Sequence, residues 1–128
     1  MINNNAVIYN NSILREGSFL CSLVEEATFD EHLFWRYYNS VITLTEENLN
    51  KDYDWELVKQ VIWTHNRIIK CFLWHHDEKD VYEMENFPQE REMDFLERLD
   101  FMFDGFIGKR AYSEKGFGDD LVNPEYVD

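Results

Sequence analysis

Hydrophobic positions recur at helical spacing in four stretches of the chain and thin out between them. The clearest stretch lies between Asp54 and His75, where Trp55, Val58, Val61, Ile62, His65, Ile68, Ile69 and Phe72 follow three- and four-residue steps. Trp63 and Trp74 carry apolar surface round to a second side, which predicts a helix at the centre of a bundle, touching neighbours on more than one flank. At about 1.5 Å per residue it runs roughly 30 Å, the width of a small domain. A second helix is expected after Asp30, whose carboxylate can accept an amide hydrogen bond, with Leu33, Phe34, Tyr37, Val41 and Leu44 on its stripe. Val41 and Thr43 are β-branched and predict fraying towards its end. A shorter stripe, Phe19, Leu20, Leu23, Val24 and Ala27, follows Ser18 as a capping residue. The last amphipathic run is Phe95, Leu96, Leu99, Met102, Phe103 and Phe106, with Pro88 suited to a first helical turn and Gly105 and Gly108 offering places to stop. Asp94 and Arg98 stand four apart on it, a pairing worth about 0.2 to 0.5 kcal/mol.

Between these stretches the pattern breaks down. Met1 to Glu16 is rich in Asn with one apolar run at Ala6 to Tyr9, which reads as a loose arm or a short strand. Thr45 to Asp52 is polar enough for a connection, and Val81, Tyr82 and Met84 fit a brief strand or an extended loop. Gly116, Gly118 and Pro124 mark irregular backbone near the end, where Tyr112, Phe117, Leu121 and Tyr126 could fasten a tail to the body. No repeat and no long linker divides residues 1–128. The expected fold is mainly α: a single-domain helical bundle of about four helices with an irregular N-terminal arm and C-terminal tail, and room for one short strand.

Composition changes this picture in one respect. Ten Phe, seven Tyr and four Trp supply a packed core, while 26 Asp and Glu against 12 Lys and Arg leave a net charge of -14. Acidic disordered tails lack such aromatics, so the expectation is a folded domain with a negative surface that repels nucleic acid and attracts basic partners. Cys21 and Cys71 are far apart in apolar surroundings and read as buried reduced thiols. The first twenty residues show no basic segment followed by an apolar stretch and a cleavage site. Lys59, His65, Arg67 and Lys70 interrupt the most apolar region before it could cross a bilayer. A cytoplasmic protein with no membrane contact is expected, its oligomeric state open.

Three constellations carry candidate chemistry. His75, His76, Asp77 and Glu78 contain metal-ligand and proton-transfer types, but adjacent helical histidines point about 100° apart, so the plainer reading is polar groups at a helix C-terminus. His65 with Cys71 could form a base and nucleophile, yet nothing around Cys71 predicts an activated thiol. The charge is densest from Asp77 to Glu97, with nine acids against two bases, and Trp74, Tyr82 and Phe87 place rings beside those carboxylates. Either the rings face inward and the acids solvate the surface, or the mixture forms an interface for a basic protein, charge selecting the partner and desolvated rings supplying energy. The candidate binding set is Trp74, Asp77, Glu78, Asp80, Tyr82, Glu83 and Glu85; no catalytic residue, metal ligand or cofactor is expected. The alternatives are a small metal-dependent hydrolase built on His75 and His76, and a general acidic adaptor.

Gly17-Ser18-Phe19-Leu20, Phe29-Asp30, Phe34-Trp35 and Asp100-Phe101-Met102-Phe103-Asp104-Gly105-Phe106 form a pattern that resembles an immunity-protein family encoded beside bacterial polymorphic toxins, the one catalogued as immunity protein forty-one. The resemblance implies a non-enzymatic cytoplasmic antidote that binds the C-terminal toxin domain delivered by a neighbouring cell, as in contact-dependent growth inhibition. Such toxins are often basic nucleases, which would make opposite charge a reason for fit. Phe19, Phe34, Trp35, Phe103 and Phe106 sit at core-like spacing and read as fold determinants rather than as toxin contacts.

Overall fold

Short polar side chains set the starts of four of the five α-helices among the described residues. The computed structural model describes residues 2–126; Met1, at the head of the expected arm, and Val127 and Asp128 lie outside the described residues. Asn3 accepts from the Ala6 amide ahead of α1 (Asn4–Ser12), Ser18 from Cys21 ahead of α2 (Phe19–Val24), Asp30 from Leu33 ahead of α3 (Glu31–Glu47) and Asp54 from Glu56 ahead of α4 (Trp55–His76). Each such cap is worth about 1 kcal/mol relative to alanine. The fifth helix, α5 (Glu92–Gly108), follows a single 3₁₀ turn at Gln89–Arg91, with Pro88 just before it. Two more 3₁₀ turns, Glu114–Gly116 and Pro124–Tyr126, punctuate an otherwise irregular tail. The chain is thus mainly helical, as the apolar spacing predicts, with one helix more than expected.

The additional helix is α1, and it replaces the loose arm or strand expected before Glu16. Asparagine is a weak helix former and the segment has no apolar stripe, so its helicity comes from its neighbours rather than from its own sequence. Its backbone packs closely on both α3 and α4. Ile8 is fully buried, and the buried Asn11 amide donates to the Val7 carbonyl at 2.8 Å while its oxygen accepts from the Leu20 amide at 2.8 Å. Asn11 therefore satisfies an otherwise unpaired donor in the first turn of α2.

Aromatic rings join the other helices. Phe34 on α3 meets Phe95 on α5 edge to face at 4.8 Å, Phe19 on α2 at 5.6 Å, and the Trp35 ring at 4.9 Å. Phe29, between α2 and α3, closes the group 5.0 Å from Phe95. Edge-to-face pairs of this kind add about 0.5 to 1.5 kcal/mol beyond the area they bury. The expected fold determinants Phe19, Phe34, Trp35 and Phe106 are all buried, and Phe103 is half-buried.

Several local expectations are corrected. The end of α3 does not fray at Thr43 but runs to Glu47, its turns held by burial of Val41, Ile42 and Leu44. The second side of α4 is divided: Trp74 is half-buried against the core, whereas Trp63 is exposed with the Arg67 guanidinium 5.0 Å from its ring centroid, and Trp55, on the main stripe, is 65% exposed. α5 passes through Gly105 and ends at Gly108, one of the two expected stops, where Lys109 caps it with a left-handed φ of 56° while its ammonium reaches the Asn48 and Lys51 carbonyls. Gly105 instead allows close approach, since a Cβ there would collide with the Arg110 carbonyl oxygen. Residues 81–84 form no strand, and the sole β-type pairing among the described residues is a parallel bridge between Thr28 and Glu85.

Arg98 departs furthest from expectation. It turns away from Asp94 into the protein, 2% exposed, and binds Asp119 through Nε and Nη2 at 2.8 and 3.0 Å and Glu114 through Nη1 at 2.6 Å. The Phe117 ring lies 4.0 Å from its guanidinium. Beside it Asn39 and Asn123 exchange two amide hydrogen bonds at 2.8 and 2.7 Å, and Leu121 is buried. Together these contacts bind the tail to α3 and α5. No helix among the described residues is long and apolar enough to cross a membrane.

Candidate functional site

The acidic segment leaves α4 at Asp77 and runs to Phe87 as an extended loop whose course is fixed at nearly every step. Asp77 accepts the Lys79 amide at 2.9 Å and Asp80 accepts the Tyr82 amide at 2.8 Å, so each carboxylate shapes its own turn. The Tyr82 hydroxyl donates to the Leu23 carbonyl at 2.6 Å. Met84 is buried, and its amide donates to His75 Nδ1 at 3.0 Å. Phe87 stacks on the His75 ring with centroids 3.9 Å apart. The Glu85 amide donates to the Ala27 carbonyl at 2.7 Å, and the Phe29 amide donates to the Glu85 carbonyl at 2.9 Å. That pairing is flanked by two non-glycine residues with left-handed backbone, Ala27 at φ 48° and Asn86 at φ 57°. An L-residue there carries about 1 to 2 kcal/mol of strain.

This framework sorts the candidate binding residues into two groups. Asp77, Glu78, Asp80, Glu83 and Glu85 are exposed and share one loop. Trp74 and Tyr82 are half-buried and pack against the core with ring centroids 6.2 Å apart, so they support the loop from beneath. Burial raises the Tyr82 hydroxyl pKa above its ordinary value. The residues that charge density did not reveal are of two kinds. Leu73, one turn from the end of α4, is 64% exposed, and Val81 at the loop tip is fully exposed, giving the acidic surface two apolar contacts. Glu25 and Glu26 are exposed on the connector that the Ala27–Glu85 pairing lays against the loop, which extends the negative surface to a second segment. An isolated aliphatic residue among acids was the one available signal for Val81.

The other constellations have different occupations. The His75 and His76 rings lie 5.2 Å apart at 81°, His75 accepting from Met84 and His76 bonding the Glu92 carboxylate. Among the described residues no group of three or more His, Cys, Asp or Glu side chains is arranged to hold a metal ion. His65 does not pair with Cys71: its ring stacks on Phe103 at 4.1 Å, and its Nδ1 is buried without a partner. Burial lowers the His65 pKa to about 4, slightly opposed by Asp100, so the ring is neutral at physiological pH. Burial also pushes the Cys71 thiol up to about 11, the direction opposite to an activated nucleophile.

No family model, no curated protein and no solved structure matches this chain. The likeness to the immunity family thus rests on the short signatures alone. Those signatures fall on structural positions: Ser18 and Asp30 cap helices, Phe19, Phe34, Trp35 and Phe106 fill the core, and Asp104 accepts from Tyr112 at 2.6 Å and Arg110 at 3.0 Å. None of them lies on the acidic loop.

Proposed function

We propose that the chain acts by stoichiometric capture of a basic protein surface, using the Asp77–Phe87 loop with Glu25, Glu26 and Leu73 beside it. In its specific form the proposal is an immunity protein that neutralises the C-terminal, nuclease-type toxin domain of a contact-dependent inhibition system. The observation that carries it is a set of five exposed carboxylates on a loop fixed by main-chain and side-chain hydrogen bonds, with Val81 projecting among them. An acidic loop already ordered before binding avoids the entropic cost of ordering it on contact. Carboxylates would meet Lys and Arg side chains that otherwise hold nucleic-acid phosphates, and Val81 and Leu73 would supply the desolvated contacts that charge alone lacks.

Co-expression with the toxin encoded beside this gene tests the specific form. The expected outcome is a one-to-one complex and restored growth; no complex and no protection would remove it. Reversing Glu78, Glu83 and Glu85 to Lys, the loop acids whose carboxylates accept no backbone amide among the described residues, should slow association at least about tenfold at low salt and flatten its dependence on ionic strength. Unchanged association kinetics would place the interface on another face.

A further inference from the structure

Away from the acidic loop, the junction of α5 with the tail encloses a small cavity whose walls are aromatic. Phe101, Tyr112 and Phe117 line about 140 Å³ together with Glu97, Ser113 and Gly116. Tyr112 meets Phe101 at 5.1 Å and 77°, and Phe117 meets it at 5.7 Å and 81°, so two walls stand nearly perpendicular to the third. The space equals that of about four to five liquid waters. Rings lining a space this size favour a cation wherever a face, the negative side of the quadrupole, is turned towards it.

Three further observations fix the charge of the occupant. Glu97 is exposed at the rim and has no ion-pair partner among the described residues. The Tyr112 hydroxyl donates to the Asp104 carboxylate, which pushes electron density into its ring. Phe117 already takes a cation, since the Arg98 guanidinium lies 4.0 Å from its centroid and the same residue lines a second cavity on the Arg98 side. Glu114 and Asp119 neutralise that guanidinium, so it does not bar a second positive group from the cavity.

We propose that this cavity binds a methylated ammonium group, with the rings of Phe101, Tyr112 and Phe117 as its walls and Glu97 as its counter-charge. A bare ammonium is strongly hydrated and would surrender three hydrogen bonds to water for one carboxylate and one hydroxyl. A metal ion would need a cluster of oxygens, which does not line this cavity, and a guanidinium, although the Glu97 carboxylate offers it one planar pair of acceptors, would turn most of its remaining donors onto rings. Methyl groups remove the need for those hydrogen bonds and fill the volume against the rings. The group has two sources, a free choline-type molecule or a methylated lysine on a protein. The proposal is independent of the acidic loop and of the toxin reading.

Titration of the isotopically labelled full chain with choline, with a trimethyl-lysine peptide and with 3,3-dimethylbutan-1-ol, the uncharged carbon analogue of choline, tests it through the amide resonances of Phe101, Ser113 and Gly116. Saturable shifts confined to this junction are expected, with choline or the peptide binding about tenfold tighter than the neutral alcohol. The tighter of the two charged ligands identifies the source. Glu97→Gln should weaken the charged ligand several-fold and leave thermal unfolding unchanged, because its side chain is exposed and outside every ion pair described; Phe101→Leu should weaken it further. Equal binding of the neutral alcohol, shifts centred elsewhere, no saturable shift with either ammonium, or unaltered affinity in Glu97→Gln would each overturn the assignment.

Discussion

The loop from Asp77 to Phe87 and the tail from Lys109 to Tyr126 are both irregular and both carry carboxylates, yet Glu114 and Asp119 of the tail turn inward where those of the loop stay outside. In the loop Asp77 and Asp80 cap their own turns from the surface, rings and a histidine hold the rest, and the Glu78, Glu83 and Glu85 carboxylates remain exposed without a bond to the fold among the described residues. In the tail Glu114 and Asp119 turn inward and hold the chain themselves, by closing on Arg98. The tail acids that organise the fold close on a buried cation, whereas Glu78, Glu83 and Glu85 sit on backbone that other groups have already fixed. Sequence charge alone does not separate the two.

The largest expected effect follows from removing the inward partner. Arg98→Met leaves Glu114 and Asp119 facing an apolar side chain, and denaturant unfolding should show a loss of about 3 to 5 kcal/mol. Reversal of Glu78, Glu83 and Glu85, whose carboxylates accept no backbone amide among the described residues, should leave the same midpoint within about 1 kcal/mol, since exposed charges contribute little. Comparable losses in both variants would erase the distinction between the regions.

Acid titration sharpens it. His65 has a folded pKa of about 4 against an unfolded value of about 6.5, so the unfolded state binds more protons between those limits. Stability should therefore be full above about pH 6.5 and fall as pH drops towards 4, and His65→Phe should remove that limb from a series of unfolding curves. The Asp119 carboxyl is held below its ordinary value, first by its hydrogen bonds from Arg98. Its contribution is present above the unfolded carboxylate value near about 3.9 and is lost only as pH falls through the lower folded value. Tail release belongs to that lower window, where near-ultraviolet dichroism of the Phe117 and Tyr112 environment should change after the His65 limb is complete.

The smallest effect concerns the loop's support. Ala27→Gly relieves the left-handed strain beside the Glu85 pairing but loosens the unfolded chain, for a net gain of about 0.5 to 1 kcal/mol. A loss instead would mean that the Ala27 methyl packs on the loop more tightly than its half-burial implies.

Four of the five helices were legible in the sequence because their stability lies in their own apolar spacing. The first was not, because Asn-rich residues 4–12 become helical only between α3 and α4, and Asn11 earns its place through a bond to Leu20. Arg98 was misread for a related reason. Its local partner Asp94 is visible four positions away, whereas its actual partners lie sixteen and twenty-one residues later, a separation that spacing rules do not address. Of the acidic surface, the density of carboxylates was legible and the inward turn of Trp74 and Tyr82 was left open. Glu25 and Glu26 join that surface through main-chain pairing at Ala27, and such pairing leaves no mark on composition.

The Arg98 cluster also makes the tail a condition of the finished core. Without residues 114–119 the enclosed guanidinium has no counter-ion, and an uncompensated buried charge costs about 3 to 5 kcal/mol. A chain ending at Gly108 should therefore keep the Arg98 face of α5 hydrated and its packing against α3 open.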